Sequence, residues 1–194
     1  LVFLFFLISF SATAFAASAQ ALLNAIVDGQ TSRVSILLDQ GVSPEASSSN
    51  GEHEGKTALM WAAEAGHADM VDLLLQYGAE VDRTNPKGGT ALMYASVNGR
   101  TEVIRQLIGA GADPDHSVRH GWTPLMLATS KGHTDSVRTL AELGADMDTR
   151  DVYGWTLLMR ATELNDVAMV RTLLDLGLDP ETRDDNGTTA LVIA

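Results

Sequence analysis

His116 and His120 stand four residues apart, a spacing that on one face of a helix would aim two imidazoles at a single metal ion. The stretch that carries them, Asp115 to Trp122, reads as an extended hairpin, and no cysteine or paired carboxylate completes a ligand set, so no metal is expected. His67 and His133 each follow a glycine in a recurring pattern and are read as structural. Asp69, Glu102 and Asp135 share one offset in that pattern, in the first turn of a helix, where the dipole favours negative charge. They do not form a general acid–base pair. The absence of cysteine removes disulfides, thiolate zinc sites and a cysteine nucleophile together. There is no Gly-x-Ser-x-Gly element and no phosphate-binding glycine loop, and a turn accounts for Gly88 and Gly89 ahead of a helix. No enzymatic activity and no cofactor are expected.

Met60, Met93, Met126 and Met159 are 33 residues apart. One reading is adaptable apolar packing; the other is a thioether ladder that takes up oxidant or copper(I). Thioethers one repeat apart are poorly placed for shared coordination, which favours packing.

The methionines mark a period that runs through the chain. The segments T-A-L-M-W-A-A at Thr57, T-A-L-M-Y-A-S at Thr90, T-P-L-M-L-A-T at Thr123, T-L-L-M-R-A-T at Thr156 and T-A-L-V-I-A at Thr189 recur every 33 residues. A glycine precedes each threonine by two positions (Gly55, Gly88, Gly121, Gly154, Gly187), and another closes four of the copies (Gly78, Gly111, Gly144, Gly177). An earlier, divergent copy keeps Ala25, Gly29, Leu37, Leu38 and Gly41 in register, with extra residues between Ser47 and Gly55. Thr123 can cap a helix with its hydroxyl while Pro124 takes the first helical position, where a missing N–H is harmless. Glycine near Gly66, Gly99 and Gly132 ends this first helix. A second helix follows, with apolar rows at helical spacing such as Val71, Leu74 and Leu75, or Ile104, Leu107 and Ile108.

This pattern resembles the ankyrin repeat, whose length and T-P-L-H-x-A core it shares, from about Ala17 to the C-terminus. The resemblance implies an all-α repeat solenoid of helix–turn–helix units joined by hairpin loops, in which each repeat buries its apolar stripe against its neighbours. Repeats start near residues 20, 57, 90, 123 and 156, with a truncated copy at 189 whose Thr188 to Ala194 should fray. The family's histidine position holds Met60, Met93, Met126, Met159 and Val192. The family binds partners through hairpin tips and a concave groove lined by the first helices. The matching residues include Lys87, Arg119, His120, Trp122, Val152, Tyr153 and Trp155 at tips, and Trp61 and Tyr94 beside the groove. Trp122 and Trp155 share one offset and should be adjacent, either as an interface hot spot with the nearby arginine or as braces between hairpins. Trp61 and Tyr94 fit packing under the hairpins as well as partner contact.

Residues 1–19 carry an uncharged apolar run and two A-x-A sites, Ala14-Phe15-Ala16 and Ala17-Ser18-Ala19, as in a cleaved signal peptide; an uncleaved membrane anchor is the alternative. The repeat domain, residues 20–194, is then periplasmic or secreted, and signal and size suggest a bacterial protein. A membrane partner enters only if this segment is retained. The formal charge of −12, from 25 acidic against 13 basic residues, argues against nucleic acid and suggests a protein partner with a basic patch.

Overall fold

The computed structural model describes residues 17–49 and 51–194. The signal or anchor reading falls almost wholly on residues 1–16, outside the described residues. The chain is helical at 17–27 (α1), then in α2 (Thr31–Asp39), α3 (Ala58–Ala65), α4 (Ala68–Gln76), α5 (Ala91–Val97), α6 (Thr101–Gly109), α7 (Pro124–Ser130), α8 (Thr134–Glu142), α9 (Leu157–Glu163), α10 (Val167–Asp175) and α11 (Ala190–Ile193). None of the described helices is long and apolar enough to cross a membrane.

Each first helix starts where its threonine stops the extended chain. The hydroxyls of Thr57, Thr90, Thr123 and Thr156 accept the backbone N–H of Met60, Met93, Met126 and Met159 at 3.2, 3.4, 3.3 and 3.3 Å. In two repeats the methionine returns the contact: the sulfur of Met60 accepts the N–H of Thr57 at 3.4 Å, and that of Met159 accepts the N–H of Thr156 at 3.5 Å. All four methionines are buried. Met60, Met126 and Met159 belong to the apolar core and, in the two repeats named, the sulfur satisfies a helix-end donor that glutamate or glutamine serves in the usual capping box.

The first helix ends in a left-handed residue, Gly66, Gly99 or Gly132, with φ of 83°, 66° and 74°. In the next repeat Asn165 occupies that place at φ 53°, a conformation asparagine tolerates better than most side chains. The helix pairs then stack in two rows: α3, α5, α7, α9 and α11 pack in succession, as do α2, α4, α6, α8 and α10. Leu22, Ile26, Leu59, Leu74, Leu92, Ile104, Leu107, Leu125, Leu140, Leu157 and Leu173 form the continuous core between them. Polar bonds also cross between repeats. Arg100 donates from Nε to the Glu64 carbonyl at 3.0 Å, and His133 Nε2 lies 3.0 Å from the Val97 carbonyl, one repeat along. Carbonyls near the end of a helix have no partner within it, and these two find one in the next repeat.

The connecting tips are tighter than the hairpins the sequence suggests. Among the described residues the only bridges are Ser47 with Thr57 and Val118 with Trp122. In three other tips a side chain reinforces the backbone closure. Asn85 Oδ1 accepts from the N–H groups of Lys87 and Gly89, Asp151 Oδ1 from those of Tyr153 and Trp155, and Asp184 Oδ1 from those of Asn186 and Thr188. Val118 cannot do this, and its loop keeps only the two backbone bonds that all four tips share, with His120 at φ 70°. α11 forms one turn, and Thr189 makes no side-chain cap bond there.

The caps give a direct test. Thr123→Ala should cost about 1 kcal/mol in urea unfolding, whereas Thr189→Ala, which removes no cap bond, should cost far less; equal losses would show that the hydroxyl bond is not what holds the helix starts.

Candidate functional site

The face formed by the tips and first helices carries two clusters in which a cation lies over aromatic rings. In the first, Lys56 is 1% exposed although it stands at a loop tip. Its ammonium lies 3.6 Å from the Trp61 ring centroid and 4.5 Å from that of Tyr94, and it is ion-paired with Glu64. Trp61 Nε1 donates to Ser48 Oγ at 3.2 Å, the His53 ring meets Trp61 edge-on at 4.8 Å, and Asn85 Nδ2 donates to the Tyr94 hydroxyl at 2.9 Å. A buried ammonium needs this many partners to offset its lost hydration. Burial also raises the Tyr94 phenol above its ordinary range, and the Glu64 charge adds to the effect.

In the second cluster, the Arg160 guanidinium lies 4.5 Å from the Trp155 ring centroid and 5.5 Å from that of Trp122. It is ion-paired with the buried Asp151 carboxylate and bonds Glu163 at 3.0 Å. Asp151 therefore serves twice: one oxygen closes the tip and the other holds the arginine. The planar guanidinium suits both roles, stacking on rings while its edge meets carboxylates.

Between the clusters lies a cleft of about 250 Å³ walled chiefly by Met93, Tyr94, Val97, Val118 and Leu127, with Lys87 at its rim.

The whole assembly repeats every 33 residues, and a family model described as "Ankyrin repeats (3 copies)" matches residues 4–85, 22–117 and 80–151, with "Ankyrin repeat" matching 153–185. The chain belongs to the ankyrin-repeat family. Among curated proteins it has no match. Ankyrin repeats mediate protein–protein interaction, so the face of tips and first helices is the surface of interest.

The sequence-nominated residues of this ankyrin surface divide into separate groups. Trp122 and Trp155 are half-buried and brought together across Arg160, while Val152 and Tyr153 project beside them at 56% and 60% exposure. Arg119 and His120 are exposed on the preceding tip, and Lys87 on the one before. Trp61 and Tyr94 belong to the Lys56 cluster. Sequence reasoning did not single out Lys56 and Arg160 as centres of these clusters. The usable signal was their register: Arg160 shares the offset of Trp61 and Tyr94, and Lys56 that of Trp122 and Trp155. His116 is engaged with the Gly88 carbonyl at 2.9 Å, and among the described residues no three metal-ligating side chains gather.

Burial holds the Lys56 ammonium below its ordinary value of 10.5, against the opposing pull of the Glu64 hydrogen bond. Folded chains thus release this proton at lower pH than unfolded chains, so the group adds stability as pH rises through that interval toward 10.5. Urea unfolding from about pH 7 upward should show wild type gaining on Lys56→Met as the solution becomes alkaline. Parallel curves would mean that the ammonium is not held buried in solution.

Proposed function

We propose that the chain is a protein-docking module that engages its partner on the tips and first helices, with Val152 and Tyr153 as the central contact. The observation that carries this is a pair of exposed apolar side chains on a rigid base: Asp151 closes their loop by two backbone bonds, and Arg160 clamps the flanking Trp122 and Trp155. Interface hot spots favour aromatic and apolar groups whose geometry is fixed before binding. The tryptophans are occupied in supporting Arg160, so they serve the surface mainly by holding it.

Charge divides over this molecule. A row of exposed carboxylates follows the turns after the second helices, at Asp82, Asp113, Asp115, Asp146, Asp148, Asp179 and Glu181, and the outer tips add Glu52, Glu54 and Asp185; none of these lines the cleft. A basic patch on the partner would be drawn to these turns and to the overall charge of −12, an attraction that weakens with salt. With a Debye length of ~8 Å at physiological ionic strength, contacts in the groove answer to their immediate neighbours instead.

The envelope location rests on the N-terminal run. Ala17 and Gln20 are exposed in α1, whereas Leu22, Leu23, Ala25 and Ile26 are buried in the core, so cleavage between residues 16 and 20 would spare the fully buried part of the helix. The mature protein should begin within that window when its N-terminus is sequenced from the native cell; a chain that retains the apolar run would be membrane-anchored instead.

The docking surface is tested by Val152→Ser/Tyr153→Ser, which alters only exposed side chains. Crosslinking and mass spectrometry in the native cell should identify a partner whose capture falls at least about tenfold in the double variant at unchanged melting temperature. Undiminished capture would remove this patch from the interface.

A further inference from the structure

The residue immediately before the capping threonine is Lys56, Gly89, Trp122 and Trp155 in four successive repeats. Lys56, Trp122 and Trp155 fill the space beside the first helices with their side chains and build the two cation clusters. Gly89 has none to contribute, and the cleft of about 250 Å³ opens beside it, lined by Gly89 itself. A cavity of about 150 Å³ accepts a benzene ring, so the cleft has room for a phenylalanine- or leucine-sized side chain.

The surroundings state what should accompany that side chain. Lys87, at the rim, Arg119, next to the wall residue Val118, and Lys131, one turn beyond the wall residue Leu127, are all exposed. Among the described residues none of these three cations pairs with a carboxylate. Glu64, which itself lines the cleft, is neutralised by Lys56, and Glu163 is paired with Arg160. The middle of the groove is therefore a largely apolar slot with one unpaired cation at its rim and two more on the chain segments next to its walls, on a chain whose overall charge has the opposite sign.

We infer that this slot receives one aromatic or aliphatic side chain from an acidic segment of the partner protein, with aspartate or glutamate beside it meeting Lys87, Arg119 and Lys131. This rests on the docking reading above and names the chemistry of the segment that lies in the groove. Apolar burial supplies affinity and the cations select the flanking sign.

Two variants isolate the two features. Gly89→Leu fills the slot. The nearest atoms to a Cβ there are the Asn85 amide at 3.5 Å and the Tyr94 ring at 3.6 Å, ordinary contacts, and its backbone is outside the left-handed region. Lys87→Glu/Arg119→Glu/Lys131→Glu reverses the local charge using exposed side chains alone. The probe is a phage-displayed library of random peptides about twelve residues long, enough in extended form to cross three repeats packed ~10 Å apart. Selection on the intact chain should enrich a Phe, Leu or Ile flanked by Asp or Glu, and selection on the triple variant should enrich Lys or Arg instead. In fluorescence anisotropy the acidic winners should lose about tenfold or more in affinity to either variant. Enrichment of basic peptides on wild type, or acidic peptides indifferent to Gly89→Leu, would overturn the inference. If those indifferent peptides are still lost with Val152→Ser/Tyr153→Ser, docking at the tips stands and only the slot falls. Peptides that bind all variants alike remove both.

Discussion

A pair of helices seven to nine residues long, such as α5 and α6, has too little buried area to hold itself together. It becomes stable only when the pairs on either side cover its two faces. That constraint dictates the rest of the molecule. Stacking in two rows forces the start of every first helix to the same height, which is why the capping threonines and the buried methionines recur at a fixed interval. It also brings corresponding tips side by side, so that a residue in one repeat meets its counterparts in the next. Arg100 and His133 exploit this by reaching back to carbonyls one repeat earlier.

The same alignment explains the two cation clusters as one interaction built in opposite senses. Lys56 presents a cation from the tip to aromatic residues on two consecutive first helices, Trp61 and Tyr94. Near the other end, Arg160 presents a cation from a first helix to aromatic residues on two consecutive tips, Trp122 and Trp155. Both cations are also paired with carboxylates, Glu64 in one case, Asp151 and Glu163 in the other. Attraction to a ring face is worth most when water is excluded, and stacked repeats supply that exclusion without a deep core.

The solenoid, its helix starts and its helix ends were legible in the sequence because each depends on local chemistry repeated at a fixed period: a threonine hydroxyl at Thr123, a left-handed glycine at Gly66, leucines at helical spacing. The tips were less legible. The same two backbone bonds close four of them, and Asn85, Asp151 and Asp184, five residues before the threonine, add side-chain bonds that Val118 cannot make and that hydrophobic periodicity does not report. Least legible was the site. Trp122 and Trp155 could be placed together from their shared offset, but Arg160 reads as a solvent-facing helix residue until the tip from the repeat before is laid against it. Lys56 misleads more, since a lysine on a loop is ordinarily solvated, and only contacts from two separate repeats account for its burial.

The cleft follows from the reversal between those clusters. Going along the chain, the tip position passes from a cation at Lys56 to aromatic rings at Trp122 and Trp155, while the first-helix position passes from rings at Trp61 and Tyr94 to a cation at Arg160. Where the sense changes, Gly89 holds the tip position and Leu127 the first-helix position, and neither can take part in a cation–ring contact. Tyr94, already committed to Lys56 on one side, leaves the rest of its ring toward this gap, with Leu127 and Val118 opposite. An opening in the row of tips is thus the geometric consequence of joining two clusters of opposite sense. Its apolar walls are what remains when both partners of the repeating interaction are missing.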